Sequence, residues 1–372
     1  MAGETMMIRT RTAVLAAAMT VGILGMSVPA TAAVGDPGKA DVVVATAPTG
    51  QDAFFPDVAK LASGRLIAAY RAGQAHTGQD GRIFLTTSAD NGKSWSAATL
   101  AVDTPVDDRD PKLSVQADGE ILLSFFETDW TRPGQRPLGT FLVRSRDGGR
   151  SWSTPTKIGS AMSWTASHGP VVTLPSGAML SPLYGMFGEQ KTTSATVVRS
   201  TDGGRTWPAS SEITIAAGTD TVGFQEPTLA VLRSGQVVVF IRSNEARVGY
   251  LSRSFDGGRT WTAPQRTSIP ASSHHVLPIN GGAILLTYGD VSGTYSSGRP
   301  TVGRIVRTPA LDWDRQSGRD VLLYDAGVHG GPTSDQANPS SVELRPGRFL
   351  TLTSDPYTHQ IVGVFSTVLD YC

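Results

Sequence analysis

The feature that most constrains this chain is a recurrence. The pattern Ser-x-Asp-x-Gly-x-x-Trp occurs at Ser88 to Trp95, Ser145 to Trp152, Ser200 to Trp207 and Ser254 to Trp261, with successive starts 57, 55 and 54 residues apart. Thr308 to Trp313 looks like an eroded fifth copy. A second pattern interleaves with the first: two apolar runs joined by a short turn, with turn glycines at Gly64, Gly119, Gly177, Gly235, Gly282 and Gly347. Each such pair of runs predicts a hairpin. A repeat of this length then holds two hairpins, which is one four-stranded blade. Six blades closing into a ring leave no long unpaired sheet edge. The expected fold class is therefore all-β, a six-bladed β-propeller over residues 34–372, with the segment Asp41 to Thr46 completing the blade made by the C-terminal strands. A content of 41 glycines and 23 prolines suits a chain with this many tight turns.

The aspartates of the first pattern have a folding role to fill. Each can accept hydrogen bonds from N–H groups of its own turn, while the glycine takes positive φ and the tryptophan packs between blades. They are not the catalytic candidates.

Residues 1–33 read differently from the rest. Arg9 and Arg11 precede an apolar run from Ala13 to Val28, followed by Ala30-Thr31-Ala32. This is the layout of a secretory signal peptide cut near Ala32 or Ala33, and the run is too short and interrupted for a permanent membrane span. A secreted protein without membrane attachment is expected. The formal net charge is zero, which leaves no overall field to draw the chain to nucleic acid. Cys372 is the sole cysteine, so neither a disulfide framework nor a thiolate metal site is available. No metal or organic cofactor is expected, and the protein is read as a monomer.

Blade connectivity predicts where a site can form. The turn glycines and the Asp motifs must share one face of the ring, so the opposite mouth collects residues leading into each first strand and following each second strand. The first set is Phe54, Asp57, Arg109, Asp110, His168, Glu226, His274, His275 and Asn338. The second includes Arg71, His76, Asp80, Glu127, Tyr184, Arg242, Asp290, Arg299 and Asp355. Carboxylates, imidazoles and guanidinium groups at one opening are what acid–base chemistry on a polar ligand requires. Adjacent residues of a regular strand point to opposite faces, so only one of His274 and His275 is expected in the site.

On these repeats the chain resembles the sialidase superfamily over almost its whole length after residue 33. The segment QEPTLAVLRSGQVVVFIRSNEARVGYLSRSFDGGRTW resembles the sialidase blade in which a Glu assists a nucleophile and an Arg holds the substrate carboxylate. The resemblance implies those roles for Glu226 and Arg242, with Arg299 as a second carboxylate-binding arginine. Arg71 resembles an arginine flanking the acid/base loop, and HGPVVTLPSGAMLSPLYG resembles the third blade, with His168 at the channel. Three positions depart from the pattern. Phe54, in Ala53-Phe54-Phe55-Pro56, stands where an arginine is expected; Asn338 stands at the nucleophilic tyrosine; and the acid/base aspartate falls on His76 or Thr77, with Asp80 close by.

The implied function is an exo-acting glycoside hydrolase on a terminal anionic or polar sugar. In this reading Glu226 is a catalytic carboxylate and Asp80 or His76 donates the proton. Arg71, Arg109, Asp110, His168, Arg242, His275, Arg299 and Asn338 bind the carbohydrate. A second carboxyl group, from Asp110, Asp57 or Asp80, would complete the pair that glycosidases use, and Trp130 or Tyr184 could stack on a sugar. Two alternatives stay open: a lyase on uronate glycans using His76, His168 or His275 as base beside Arg242, and a glycan-binding propeller without catalysis.

Overall fold

A computed structural model describes residues 32–316 and 318–372. Most of the expected export signal lies outside the described residues. Ala33 bridges Leu322, and Val34 N–H donates to the Leu322 carbonyl. The expected cleavage position therefore abuts a segment already bound to an outer strand.

Six antiparallel sheets follow one another along the chain. Blade I comprises Asp52–Lys60, Leu66–Gly73, Arg82–Ser88 and Thr99–Val102. Blade II comprises Asp107–Val115, Ile121–Thr128, Pro137–Ser145 and Thr156–Lys157. In blade III the inner strand is split into Trp164–Ala166 and Val172–Thr173, both paired to Met179–Met186. Ser194–Ser200 and Ile213–Ala216 complete that blade. Blade IV runs from Gln225–Val231 through Val237–Ser243 and Val248–Ser254 to Gln265–Arg266. Blade V runs from Ala271–Pro278 through Ile284–Asp290 and Thr301–Val306 to Val321–Tyr324. Blade VI holds Ala337–Arg345, Arg348–Asp355 and Gln360–Thr367, and its outer strand is Val42–Thr46 from the other end of the chain. The all-β six-bladed architecture and this closure are as the repeats predict.

The core lies between blades. Ile67, Ala69 and Leu85 of blade I pack on Leu113, Leu123 and Phe125 of blade II, and Leu66, Ala68 and Tyr70 pack on Leu350 and Leu352 of blade VI. Fully burying one such side chain is worth about 1.5–3 kcal/mol, so each interface binds its blades without a separate hub.

The Asp motifs tie off the turns on one face. Asp202 accepts from Arg205 N–H at 2.9 Å, Thr206 N–H at 3.0 Å and Ser200 Oγ at 2.7 Å, and Trp207 Nε1 donates to the Gly204 carbonyl at 2.9 Å. Asp147 and Asp256 repeat the pattern. In the eroded copy Trp313 is still fully buried, stacked on Phe240. Hydrogen bonds from Ser94 and Ser88 hold the Asp90 carboxyl down at about 2, and Asp147, Asp202 and Asp256 are depressed by the equivalent donors of their own turns. A depressed folded value contributes stability above the unfolded carboxylate range, near pH 4, that is lost as pH falls through the folded value. The expected result is a melting temperature that declines from pH 4 to pH 2. The triple variant Asp147→Asn/Asp202→Asn/Asp256→Asn should melt lower at pH 6 with a shallower acid decline, as differential scanning calorimetry can show.

One irregularity positions the site. The inner strands slip register between Phe54 and Asp57, Arg109 and Lys112, Gln225 and Thr228, Ser272 and His275, and Ala337 and Ser340. At each slip a residue is left-handed: Phe55 at φ 55°, Asp110 at 48°, Glu226 at 54°, Ser273 at 46°, and both Ala337 at 73° and Asn338 at 54°. Such conformations cost about 1–3 kcal/mol each and collect at functional sites, and bulges re-aim side chains beside active sites. The slips recur at the same point of the inner strand in blades I, II, IV, V and VI and so ring one mouth.

Candidate active site

Glu226 and Arg242 form the centre. Glu226 sits on the bulge that opens blade IV, and Arg242 lies directly across the hairpin from Gln225. Arg242 Nη1 donates to Glu226 Oε1 at 2.5 Å, and Ser273 N–H, on the blade V bulge, donates to Oε2 at 2.9 Å. Burial alone would raise the pKa of Glu226. The charge of Arg242, aided by His168, His274 and Arg299, outweighs it and holds the carboxyl at about 2. Glu226 is therefore a permanent anion.

Asp110 occupies the equivalent bulge two blades away. It is buried, and its carboxyl has no hydrogen-bond partner among the described residues. Burial pushes it up to about 6 against the pull of Arg109 and Lys112, with the charge of Glu226 adding to the rise. Two carboxyl groups at one mouth are thus held in opposite protonation states just below pH 6. A raised value by itself does not mark a site: Asp108 is pushed up to about 7 by burial, yet both its oxygens are occupied by Thr104.

Tyr184 joins this pair. Its strand neighbour Pro182, on the same face, lies against Gly169, and the Cα of Gly169 is so close to the Pro227 carbonyl and Thr228 that a Cβ would fall 2.6 Å from that carbonyl oxygen. Blades III and IV meet tightly here, which brings Tyr184 within range of the Glu226 charge. Burial and the charges of Glu226 and Asp110 push its phenol well above the ordinary range, which keeps it a neutral donor. Its hydroxyl has no partner among the described residues.

Arg299 of blade V completes the guanidinium side. Nε and Nη2 donate to the Gln336 carbonyl at 3.1 and 2.9 Å, and Nη1 lies 3.4 and 3.3 Å from Ser272 Oγ and Ser273 Oγ. Burial, then repulsion from Arg242, lowers it to about 10. Arg242, Arg247 and Arg299 line a cleft of about 510 Å³ with Ser272, Ser292 and Thr333. Asn338 stands on the blade VI bulge, with its side-chain Nδ2 unpartnered among the described residues.

Several expected site residues are committed elsewhere. Arg71 is fully buried, donating to Asp107 Oδ1 at 2.7 Å and to the Ala75 carbonyl at 2.8 Å. It holds the loop after the second strand of blade I and cannot reach a ligand. Gly81 is packed so closely on Asp107 and Arg71 that no side chain fits. Arg109 donates to the His76 carbonyl at 2.7 Å and to Asp107 at 3.0 Å, and its guanidinium lies among the Phe55, Phe126 and Trp130 rings. Trp130 spends its own N–H on Asp107. Breaking a buried pair by removing one partner costs about 3–5 kcal/mol. Arg71→Met and Asp107→Asn should each lose that much in urea unfolding, with a double variant less destabilised than the sum.

The two expected proton donors are also displaced. Asp80 accepts from Gln74 N–H at 3.0 Å and closes its own loop. His76 packs edge-on against Phe54 and Phe55, and burial with the charges of Arg109, Arg299 and Arg71 lowers it to about 3. It is neutral at ordinary pH and has no acidic proton to give. Its Nδ1 lies 3.5 Å from Asp335 without hydrogen-bond geometry. Asp57 is a clamp, accepting from Leu113 N–H at 2.6 Å and Ser340 Oγ at 2.7 Å and so tying blades I, II and VI.

The histidines floor the channel. His168 Nε2 donates to the His274 carbonyl at 3.0 Å, and His274 Nε2 donates to the Phe240 carbonyl at 3.0 Å. A carbonyl only accepts, so both rings carry their proton on Nε2. His275 Nδ1 accepts from Ser341 N–H at 3.2 Å, and the residue lines a pocket at the other end of the inner strands. His274 reaches toward Phe240 of blade IV and His275 toward Ser341 of blade VI, so the two neighbours point apart as strand alternation expects. Burial lowers all three imidazoles. Among the described residues, no three His, Cys, Asp or Glu side chains are grouped to hold a metal ion.

Tyr184 was legible only as an aromatic residue, and Arg247 carried no signal of its own. The mouth ring did leave one: proline lies eight residues before the turn glycine in blades I, II, IV and VI, at Pro56, Pro111, Pro227 and Pro339. The residue before each is the one aimed at the mouth.

Comparisons with known proteins agree with this architecture. A protein of unknown function from Dyadobacter fermentans superposes with a TM-score of 0.76 at 23% identity, over 87% of this chain and 96% of that one. The NanB sialidase from Streptococcus pneumoniae gives 0.67 at 14% identity, over 91% and 72%. The intramolecular trans-sialidase from Ruminococcus gnavus gives 0.63 at 14% identity, over 91% and 98%. At these identities the likeness is one of fold. No curated protein sequence matches the chain. The family described as BNR repeat-like domain matches residues 64–309. Its repeats, its six blades and its structural neighbours together show that the chain belongs to the BNR repeat-like family, a six-bladed β-propeller related to the sialidase superfamily.

Proposed function

We propose that this propeller is an exo-acting glycoside hydrolase on a glycan ending in an anionic sugar. The observation that carries the reading is the pair Glu226 and Asp110, two carboxyl groups on one ring of bulges, one held ionised and the other protonated up to about pH 6. Environments that push two acids apart assign their roles. Asp110 gives its proton to the glycosidic oxygen as the bond to the anomeric carbon breaks. Glu226 faces the positive charge that develops on that carbon, and water adds there while its proton returns to Asp110. Arg242 and Arg299 take the sugar's anionic group, and Tyr184 donates to the ring between the two acids. The sialidase and trans-sialidase neighbours support a carbohydrate substrate, and the segment before residue 34 supports export.

The lyase reading loses ground because His168 and His275 spend ring nitrogens on backbone partners. The test is incubation with sialosides, uronate polysaccharides and arabinans under mass readout. Release of one acidic sugar with one added water is the expected result, and proton NMR of the first-formed anomer distinguishes retention from inversion. An unsaturated product, or binding without any product, would overturn the proposal.

A further inference from the structure

The cleft beside Glu226 is more cationic than one carboxylate requires. Of its three arginines, Arg242 is balanced by Glu226 at 2.5 Å. Arg299 and Arg247 have no carboxylate within 4 Å among the described residues and are held by neutral groups, Arg299 by the Gln336 carbonyl and the Ser272 and Ser273 hydroxyls and Arg247 by the Val291 carbonyl. No Asp or Glu lines the cleft. Glu226 is the carboxylate that acts most on Arg299, without an ion pair to it, and Asp335, which follows, lies against His76. Three guanidinium charges therefore face one opening, and Glu226 forms an ion pair with only one of them, Arg242.

Arg247 is built for reach and not for packing. It lies in the turn between the second and third strands of blade IV, with its backbone left-handed at φ 54°. Its Nη2 crosses to the Val291 carbonyl of blade V at 2.5 Å. That single bond fixes the planar fork while Nε and Nη1 keep no partner among the described residues, and a pre-oriented guanidinium suits bidentate capture of an oxyanion. The cleft volume, about 510 Å³, falls within the range of about 300–1,000 Å³ that takes ligands larger than one functional group.

We infer that Arg247 recognises a second anionic group, so that the preferred substrate is a glycan with two acidic sugars in succession. The inner acid site is Arg242 with Arg299, as the proposed hydrolase reading holds and on which this inference rests. Arg247 at the rim takes the carboxylate of the adjoining unit. Serine and threonine hydroxyls around it offer neutral donors to the sugar between.

Isothermal titration calorimetry of the full chain tests this with two pairs of probes: galacturonic acid against digalacturonic acid, and N-acetylneuraminic acid against its α2,8-linked dimer. In the pair that binds, the diacid should bind at least tenfold tighter than the monoacid at low salt. Arg247→Gln should reduce that advantage to within twofold and leave the monoacid affinity unchanged. Equal affinity for monoacid and diacid in the wild type, or an advantage that survives Arg247→Gln, overturns the inference while leaving the hydrolase reading intact. Absence of binding by all four acids overturns the anionic-sugar reading itself, and this inference with it.

Discussion

Glu226→Gln is expected to lower kcat/KM on the order of 10³-fold, the scale on which removal of one preorganised electrostatic group acts. The substitution keeps the shape of the side chain and a hydrogen-bond acceptor for Ser273 N–H, but it removes the fixed negative charge. It also leaves Arg242 without its counter-ion. Because that guanidinium is 19% exposed, water recovers part of the loss, and the stability cost should fall to about 1–3 kcal/mol, below that of a fully buried pair. Steady-state kinetics alongside urea unfolding separates the two effects. A Glu226→Gln enzyme with more than a tenth of wild-type activity would remove Glu226 from the chemistry and leave it as a blade IV to blade V tie.

Asp110→Asn should combine a comparable loss of activity with a gain in stability. The folded state holds this carboxyl at about 6 where the ordinary value is 3.8. A raised acid binds its proton more tightly when folded, so between pH 4 and 6 the folded chain loses stability as pH rises. Above that window the cost is on the order of 3 kcal/mol. An asparagine carries no such cost. The variant should therefore unfold at higher urea than the wild type at pH 7.5, by about 1–3 kcal/mol, and show no difference at pH 3.5. Wild-type turnover should fall as pH rises through about 6, when Asp110 loses the proton it donates, and that limb should be absent from residual Asp110→Asn activity. A merely structural Asp110 would lower stability at every pH and leave the profile's shape alone.

The two periodicities were sufficient to read the ring, the blade count and the strand that closes it, because a blade's turns and its apolar alternation are local and repeat. Which end of the ring bears the mouth followed from strand direction alone. The identity of the reactive groups did not. Arg71 and Arg109 look like ligand arginines by position, but their fate depends on Asp107, a residue more than thirty positions from Arg71 whose carboxylate both of them reach. His76 and Asp80 sit in the expected loop, yet aromatic packing and a loop-closing bond decide what each can do. Alternation placed His274 and His275 on opposite sides, as their contacts to Phe240 and Ser341 show, but the bulge just before them is a property of the backbone that apolar alternation does not encode. Asp110 was legible as a member of the mouth; its protonation was not, since that depends on burial among blades distant in sequence.

The pairing of Val42–Thr46 with Gln360–Thr367 has a consequence for how the protein comes into being. A chain emerging vectorially presents its first strand roughly 320 residues before the partner that receives it. Through most of that interval only this strand of blade VI has emerged and the circle is open, with Leu66, Ala68 and Tyr70 lacking the Leu350 and Leu352 they will later pack on. Maturation therefore ends in one late, long-range docking event. The finished ring then resists fraying, because neither Val42–Thr46 nor Gln360–Thr367 can peel away without breaking the same sheet.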